Sequence, residues 1–298
     1  MCQRTNIMFK SDDIILKGWF YTPSNQDIAP APCVIMTHGF SALKEHYLDK
    51  FATRFAQAGM CVLVYDNRNF GDSEGAPRFE VDPFMQIQDM KNAITYLQQR
   101  KEVNAKKIGL WGTSFSGGIV LVVAATDNRV KCVVTQVPFI SGHHKFLQQI
   151  KPEQWEVIKK KYHAENLSRM AGHEPTMIPV VTDNLQSTAI MKIPSAFSFF
   201  TSVKFWENKV TLRSIENAGE FEPISYIRDI DDIPVLFIVA NKDTINATNC
   251  ALEAYNKTRS PKKLVMIEGD HFVPYSEQFE RCVNSAHEWF AQYFGLSN

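Results

Sequence analysis

The chain has 298 residues, of which 45% are hydrophobic, 12% aromatic and 21% charged, a composition that buries a core and excludes a disordered or fibrous protein. Its 32 basic and 32 acidic side chains cancel, so no overall positive field exists to hold a polyanion. The longest basic run, residues 159–161, is too short to form a nucleic-acid-binding stripe. We therefore expect no nucleic-acid partner.

The sequence carries no signal for membrane insertion or export. Its longest apolar stretch, residues 119–125, is far shorter than the ~20 residues of a spanning helix. Residues 1–12 hold no apolar run of the length that a secretory signal requires. The 6 cysteines are scattered without a C-x-x-C pair, which is typical of reduced thiols. We expect a cytoplasmic protein with no membrane span.

The first half of the chain has the pattern of a sheet with helical crossovers. Residues 5–10 and 14–21 are predicted to form two strands joined by a turn at 11–13. Apolar residues at spacings of three and four predict a helix around 48–55 and another around 87–97. Short apolar runs, typical of strands buried on both faces, occur at residues 33–37, 61–65, 108–111 and 130–134. Strand alternating with helix predicts right-handed crossovers and a mostly parallel sheet.

The alternation stops after Val134 and resumes near Val235, which indicates an insertion. The second part comprises a strand at 235–240, a helix near 246–255, a strand at 264–267 and a closing helix over 279–290. The intervening stretch is too long for a single connection. We therefore predict a core of residues 1–140 and 230–298, and an inserted lid over residues 141–229 that folds across the sheet.

Residues 108–118 run from an apolar strand through small residues into an apolar helix predicted to begin near Ile119. This is the context of a nucleophile elbow, G-x-S-x-G, in which a serine occupies a tight strand-to-helix turn between small neighbours. Gly112 and Ser114 match the pattern, while Ser116 stands where the second glycine is usual. Serine is the next smallest polar residue, so we predict that the turn survives and that Ser114 is the nucleophile.

Other interpretations of this stretch remain open. In a shifted register Ser116 is the nucleophile and Gly118 follows it, with Ser114 in the crowded position ahead. The stretch could also be a glycine-rich turn without catalysis. A phosphate-binding loop is disfavoured because no lysine follows the glycines, and the G-x-G-x-x-G pattern of dinucleotide binding is absent.

A nucleophilic serine needs a histidine base and a carboxylate that orients it, and on this type of fold they follow in the order Ser, Asp or Glu, His. Asp243 comes just after the strand 235–240, at the carboxyl edge of the sheet where ligands bind. His271 follows the last strand at the same edge. His287 lies inside the closing helix and is interpreted as a surface or packing residue. We predict a Ser114, Asp243 and His271 triad.

A tetrahedral intermediate also needs two N–H donors for its oxygen. One is expected from the backbone of Phe115, directly after the nucleophile, and the other from Phe40, in the loop after the strand 33–37. His38 is expected to support that loop.

Two further features concern ligands. His143 and His144 are adjacent but have no third ligand at a metal-like spacing, so no metal and no cofactor are expected. The lid carries an aromatic cluster at 197–206, from which we take Phe197, Phe200 and Trp206 as candidate walls of an apolar substrate pocket. The alternative for this cluster is a core within the lid.

Together these residues resemble the α/β-hydrolase superfamily, and more narrowly its polyketide-transferase-like and dienelactone-hydrolase-like branch. The motifs that carry the resemblance lie at residues 38–40, 66–78, 111–118, 234–243 and 269–275. The resemblance implies an α/β fold with a mostly parallel eight-stranded sheet flanked by helices, and it assigns the triad places to Ser114, Asp243 and His271. Dienelactone hydrolases have a cysteine where this chain has Ser114, which argues against that narrow activity.

The sequence therefore predicts a serine hydrolase that cleaves an ester or thioester of a small, partly apolar substrate through an acyl-enzyme. One alternative is an acyl or polyketide transferase that uses the same triad. The other, from a different class, is a ligand-binding member of the fold without catalytic activity.

Overall fold

A computed structural model of the chain describes residues 2–23, 30–184 and 186–296. Within them, eight strands form one sheet and two short strands pair separately. In chain order the strands are β1 (Gln3–Ser11), β2 (Ile14–Thr22), β3 (Ala31–Thr37), β4 (Cys61–Tyr65), β5 (Val103–Thr113), β6 (Val130–Gln136), β7 (Met177–Ile178), β8 (Val210–Thr211), β9 (Val235–Ala240) and β10 (Lys262–Ile267).

The order of the large sheet is β1-β2-β4-β3-β5-β6-β9-β10. The pairs β1–β2 and β2–β4 are antiparallel, and every other neighbouring pair is parallel. All residues of β3, β4 and β9 are buried, as expected of strands covered by helices on both faces. The prediction of a mostly parallel eight-stranded sheet flanked by helices is confirmed.

Helices connect and cover the strands. They are α1 (Leu48–Gln57), α2 (Pro83–Gln98), α3 (Phe115–Thr126), α4 (Gly142–Gln149), α5 (Pro152–Met170), α6 (Pro194–Thr201), α7 (Leu212–Glu220), α8 (Thr248–Lys257) and α9 (Phe279–Phe294), with 3-10 turns at Pro223–Asp229 and Val273–Tyr275. The prediction for α3 was four residues late, because the helix begins at Phe115 and not near Ile119.

The strand order creates a crevice at the carboxyl ends of β3 and β5. From β3 the chain crosses through α1 to β4 on one side, and from β4 it returns through α2 to β5 on the other side. Crossovers of one hand that run in opposite directions lie on opposite faces of a sheet, so the loops leaving β3 and β5 diverge. Such a point is where ligands bind in open α/β sheets.

Residues 141–229, predicted as an inserted lid, contain α4 to α7, β7 and β8. Within this segment α7 packs against α4 and α5. Hydrogen bonds attach the segment to the loop between β4 and α2. The Thr211 N–H donates to the Phe79 carbonyl at 3.0 Å, and the Val81 N–H donates to Ser214 Oγ at 2.9 Å. The division into a core and a lid stays a prediction.

Candidate active site

Ser114 occupies a sharp turn between β5 and α3. Its φ of 56° and ψ of −120° lie in a region that residues with side chains rarely adopt, which is typical of a strained functional turn. The turn is held in place by the Ser114 N–H, which donates to the Gln136 carbonyl at 2.9 Å, and by the Ser114 carbonyl, which accepts from the Phe139 N–H at 2.8 Å. Gly112 is required here, since a Cβ would lie 2.2 Å from the Ser116 carbonyl oxygen.

Ser116, the alternative nucleophile, has a side chain buried in backbone hydrogen bonds. Its Oγ accepts from the Thr113 N–H at 2.9 Å and lies 2.8 Å from the Thr37 carbonyl, to which it donates. The residue is 1% exposed. A hydroxyl so engaged cannot meet a substrate, and its bonds instead join β3 to the turn that presents Ser114. This explains how a serine replaces the usual glycine.

His271 and Asp243 come together with Ser114 at the carboxyl edge of the sheet. Ser114 Oγ lies 2.9 Å from His271 Nε2, and His271 Nδ1 lies 2.7 Å from Asp243 Oδ2. An ionised carboxylate can only accept, so Nδ1 carries the proton and donates to Asp243. Nε2 is then free to accept the Ser114 hydroxyl proton. Asp270, adjacent in sequence, turns its carboxylate to the Phe272 N–H at 2.9 Å.

The environment keeps Asp243 ionised although the residue is only 7% exposed. Burial alone raises the pKa of a carboxyl group, but His271 and the N–H groups of Asn246 and Ile245 outweigh it and hold the pKa of Asp243 below its ordinary value. Both N–H groups donate to Oδ1, at 2.9 Å from Asn246 and 2.8 Å from Ile245. One oxygen thus fixes the loop before α8, and the other orients the histidine.

The loop after β3 passes directly beside Ser114. A Cβ on Gly39 would lie 3.0 Å from Ser114 Cβ and 3.4 Å from Ser114 Oγ, so only a glycine allows this close approach without a shift. Phe40 follows, and its ring contacts that of Phe115 edge to face at 5.6 Å between centroids. The Phe115 N–H belongs to the first residue of α3, where an N–H has no partner within the helix. Phe40 and Phe115 thus each adjoin a residue of the site, Gly39 beside Ser114 and Ser114 itself, and the role of their N–H groups as oxyanion donors stays a prediction.

His38 stabilises this loop from beneath. Its Nε2 accepts from the Asn67 N–H at 3.0 Å, and its Nδ1 lies 2.9 Å from the Gly39 carbonyl, to which it donates. Burial lowers the pKa of His38 to about 4, so the ring is neutral near pH 7. Below it, the Lys44 ammonium donates to Asp66 Oδ2 at 2.6 Å, inside the 66–78 motif.

Ser114 and His271 open into a cleft whose empty space, including its mouth, is about 900 Å³. Of the three candidate wall residues, Phe200 lines this cleft, but Phe197 and Trp206 do not. Phe199, which was not a candidate, does. Trp206 is turned away because its Nε1–H donates to the Ser41 carbonyl at 2.8 Å, and its ring packs behind Phe200 at 4.9 Å between centroids.

No group of three His, Cys, Asp or Glu side chains in the described residues could hold a metal ion. All six cysteines are unpaired thiols. Over the same described ranges, no helix has both the length and the apolar character needed to cross a membrane.

Comparison with known proteins places the chain in a family. Residues 12–273 match the model of the X-Pro dipeptidyl-peptidase (S15) family. The chain belongs to that family. It is 30% identical to a thiohydrolase of Aspergillus aculeatus over 86% of this chain and 82% of the relative, and 29% identical to a polyketide transferase of Aspergillus fumigatus over 85% and 84%.

A solved structure extends the likeness to the fold. The α/β hydrolase GrgF of a Penicillium species superposes with a TM-score of 0.87 over 99% of this chain and 100% of its own, at 24% identity. The resemblance to the α/β-hydrolase superfamily is thus confirmed, and this S15-family chain is a hydrolase or acyltransferase of that fold.

Asn246 and Lys145 are among the polar residues of the cleft that were not singled out from the sequence. Asn246 donates through Nδ2 to the Val137 carbonyl at 2.8 Å and lies 3.5 Å from Ser114 Oγ. Lys145, on α4, lines the cleft as well. Asn246 follows Asp243 by three residues, and this proximity in sequence is the one signal that could have indicated it. Nothing in the local sequence distinguishes Lys145 from an ordinary surface lysine.

Proposed function

We propose that the chain is a serine hydrolase that cleaves an ester or thioester of a small, partly apolar substrate. The observation that carries this proposal is the relay from Ser114 Oγ to His271 Nε2 at 2.9 Å and from His271 Nδ1 to Asp243 Oδ2 at 2.7 Å. The mostly apolar cleft in front of Ser114 supports a substrate with an apolar portion. A relative named a thiohydrolase supports thioester chemistry.

In the proposed reaction His271 takes the hydroxyl proton as Ser114 Oγ attacks the carbonyl carbon. The carbonyl oxygen becomes an oxyanion held by the N–H groups of Phe40 and Phe115. Collapse of this intermediate expels the alcohol or thiol, which receives the proton from His271, and leaves an acyl group on Ser114. Water then attacks through the same base, releasing the acid and restoring the serine.

Acyl transfer is the second candidate, favoured by the relative named a polyketide transferase. The first half of the reaction is identical, and an alcohol or amine replaces water in the second half. Adding a competing alcohol and analysing the products separates the two, because a transferase forms the new ester and a hydrolase forms the free acid.

The test combines labelling with turnover. A fluorophosphonate should label the wild type and the Ser116→Ala variant but not Ser114→Ala. With 4-nitrophenyl esters of rising chain length and matching acyl thioesters, Ser114→Ala should lower turnover by about 10⁶, the scale at which an acting triad loses its nucleophile. Retention of more than about one hundredth of the activity in Ser114→Ala would contradict the mechanism. A folded wild type that is neither labelled nor active would favour the ligand-binding alternative.

A further inference from the structure

Lys145 is a charged residue of the cleft wall that the proposed proton relay does not use. It belongs to α4 and lines the cleft that contains Ser114 and His271. It also lines a smaller adjoining cavity of about 230 Å³. Phe139, Ile245 and Asn246 line both spaces as well, so these residues and Lys145 form the part of the wall that separates them.

Among the described residues that line the cleft, Lys145 is the one lysine, arginine, aspartate or glutamate. The other polar side chains of the wall are already engaged in hydrogen bonds. His46, for example, accepts from the Leu43 N–H and donates to the Phe200 carbonyl. Among the side chains that the structure describes, none forms an ion pair or hydrogen bond with Lys145 Nζ.

The position is costly for a cation. Burial lowers the pKa of Lys145 to about 8, and the nearby Asp243 opposes this only in part. The Asp243 carboxylate is not a close partner of Lys145, since the ion pair that the structure describes for it within 4.0 Å is with His271. Its two oxygens also accept from the Ile245 and Asn246 N–H groups. An ammonium group in a mostly apolar cleft regains the lost stabilisation when an anion binds beside it.

The remainder of the cleft wall is suited to a different part of the molecule. Phe199 packs against Phe200, Phe272 and Tyr275, with ring centroids 4.8 to 5.1 Å apart, and all four line the cleft. This aromatic cluster offers apolar contact and no charge. A substrate whose carbonyl lies at Ser114 would therefore meet an apolar wall and, elsewhere in the same cleft, a single cation.

We propose that Lys145 binds a carboxylate of the substrate, so that the enzyme prefers esters or thioesters that carry an apolar portion and one acidic group. This inference rests on the proposed function, since Ser114 fixes where the scissile carbonyl lies. Lys145 acts as a specificity residue and takes no part in the proton relay.

The test compares substrates that differ only in charge. The first arm uses 4-nitrophenyl half-esters of succinic, glutaric and adipic acids against the same compounds capped as methyl esters. The second arm moves the acid to the leaving group, as the pentanoyl thioester of 3-mercaptopropanoate against that of its methyl ester. Three variants are measured beside the wild type: Lys145→Met, Lys145→Arg, and Lys160→Met as a control on the exposed surface of α5.

We expect the wild type to prefer the acidic substrate in at least one arm, which identifies the side of the scissile bond that meets Lys145. Lys145→Met should lower kcat/KM for that substrate about tenfold or more, mainly through KM, because a charge-assisted hydrogen bond is lost. It should change the capped ester less than about threefold, since that ester makes no such bond. Lys145→Arg should restore part of the preference, and Lys160→Met should change nothing. The proposal would be overturned if the wild type did not prefer the acidic substrate in either arm. It would also be overturned if Lys145→Met lowered kcat/KM equally for the acidic and the capped substrate.

A binding measurement separates this proposal from the proposed function. Calorimetry on Ser114→Ala should detect monomethyl glutarate binding more tightly than dimethyl glutarate, and the difference should vanish in the Ser114→Ala, Lys145→Met double variant. Equal binding of both compounds would overturn the carboxylate site even if the enzyme is an active esterase. A selective carboxylate site in a protein that fails to turn over any ester would refute only the hydrolase proposal.

Discussion

Replacing Asp243 with asparagine tests the proposed relay at its most sensitive point. Asparagine keeps an oxygen for the Ile245 and Asn246 N–H groups, which lie 2.8 and 2.9 Å from Asp243 Oδ1, so the loop before α8 should keep its conformation. The other end of the amide then places an NH₂ where Oδ2 accepted from His271 Nδ1 at 2.7 Å. Two donors would face each other, and the imidazole proton must move from Nδ1 to Nε2.

A histidine protonated at Nε2 cannot accept the Ser114 proton across the 2.9 Å contact. We expect Asp243→Asn to lower kcat by about 10⁴, the cost of the wrong tautomer in a triad, which corresponds to about 5.4 kcal/mol of transition-state stabilisation. The free energy of unfolding should change by less than about 1 kcal/mol, because the backbone hydrogen bonds persist.

The measurement is burst and steady-state release of 4-nitrophenol, with urea denaturation to confirm folding. Asp270→Asn is the matched control, since Asp270 also neighbours His271 but bonds the Phe272 N–H, a role that an amide oxygen retains. A kcat in Asp243→Asn above about one tenth of the wild-type value would refute this reasoning, as would an equal loss in both variants.

Three further outcomes are expected. Ser116→Ala leaves the Thr113 N–H buried without its acceptor and should lower the free energy of unfolding by about 1–3 kcal/mol in urea titrations. Ser114 should still react with a fluorophosphonate in this variant. Loss of labelling in a folded protein would favour the register in which Ser116 is the nucleophile. Asp89→Ala leaves the Arg68 guanidinium, which donates to both carboxylate oxygens at 2.6 and 2.7 Å, without a partner, and should cost about 3 kcal/mol of stability; a change below about 1 kcal/mol would contradict the importance of this buried pair. The lowered pKa leaves Lys145 charged below a pH of about 8 and neutral above it. The ratio of kcat/KM for acidic over capped substrates should therefore fall as pH rises from about 7 to about 9, a range in which Asp243 stays ionised. A ratio that does not change with pH would contradict this.

The location of Ser114, Asp243 and His271 at one edge of the sheet could be predicted from the sequence. It depends on which segments are parallel strands, and short apolar runs in the sequence indicate those segments. The runs at 108–111 and 235–240 are strands of a parallel sheet, so residues that follow such strands meet at one edge. Ser114, Asp243 and His271 each come soon after such a strand, which predicts the common edge; the distances of 2.7 and 2.9 Å between their side chains come from the structure alone.

Other features depend on packing that no local pattern encodes. Gly117 and Gly118 look like turn residues, but they lie within α3, where Gly117 packs against Thr135 and Pro138 with no room for a side chain. The need for a small residue at this contact, and not a turn, accounts for the glycine, so Gly117 did not mark the start of the helix. In the segment 197–206, hydrophobic periodicity could not predict that Phe199 and not Phe197 lines the cleft, because α6 has only eight residues.

The hydrogen bonds that keep Trp206 and Phe200 in place have a mechanical consequence for the loop after β3. The Trp206 Nε1–H donates to the Ser41 carbonyl, and the His46 Nε2–H donates to the Phe200 carbonyl. The 141–229 segment is therefore hydrogen-bonded to both ends of the stretch 41–46. That stretch begins one residue after Phe40. Because this stretch directly follows Phe40, a displacement of α6 that breaks these two hydrogen bonds also removes support from the loop whose N–H is proposed to bind the oxyanion.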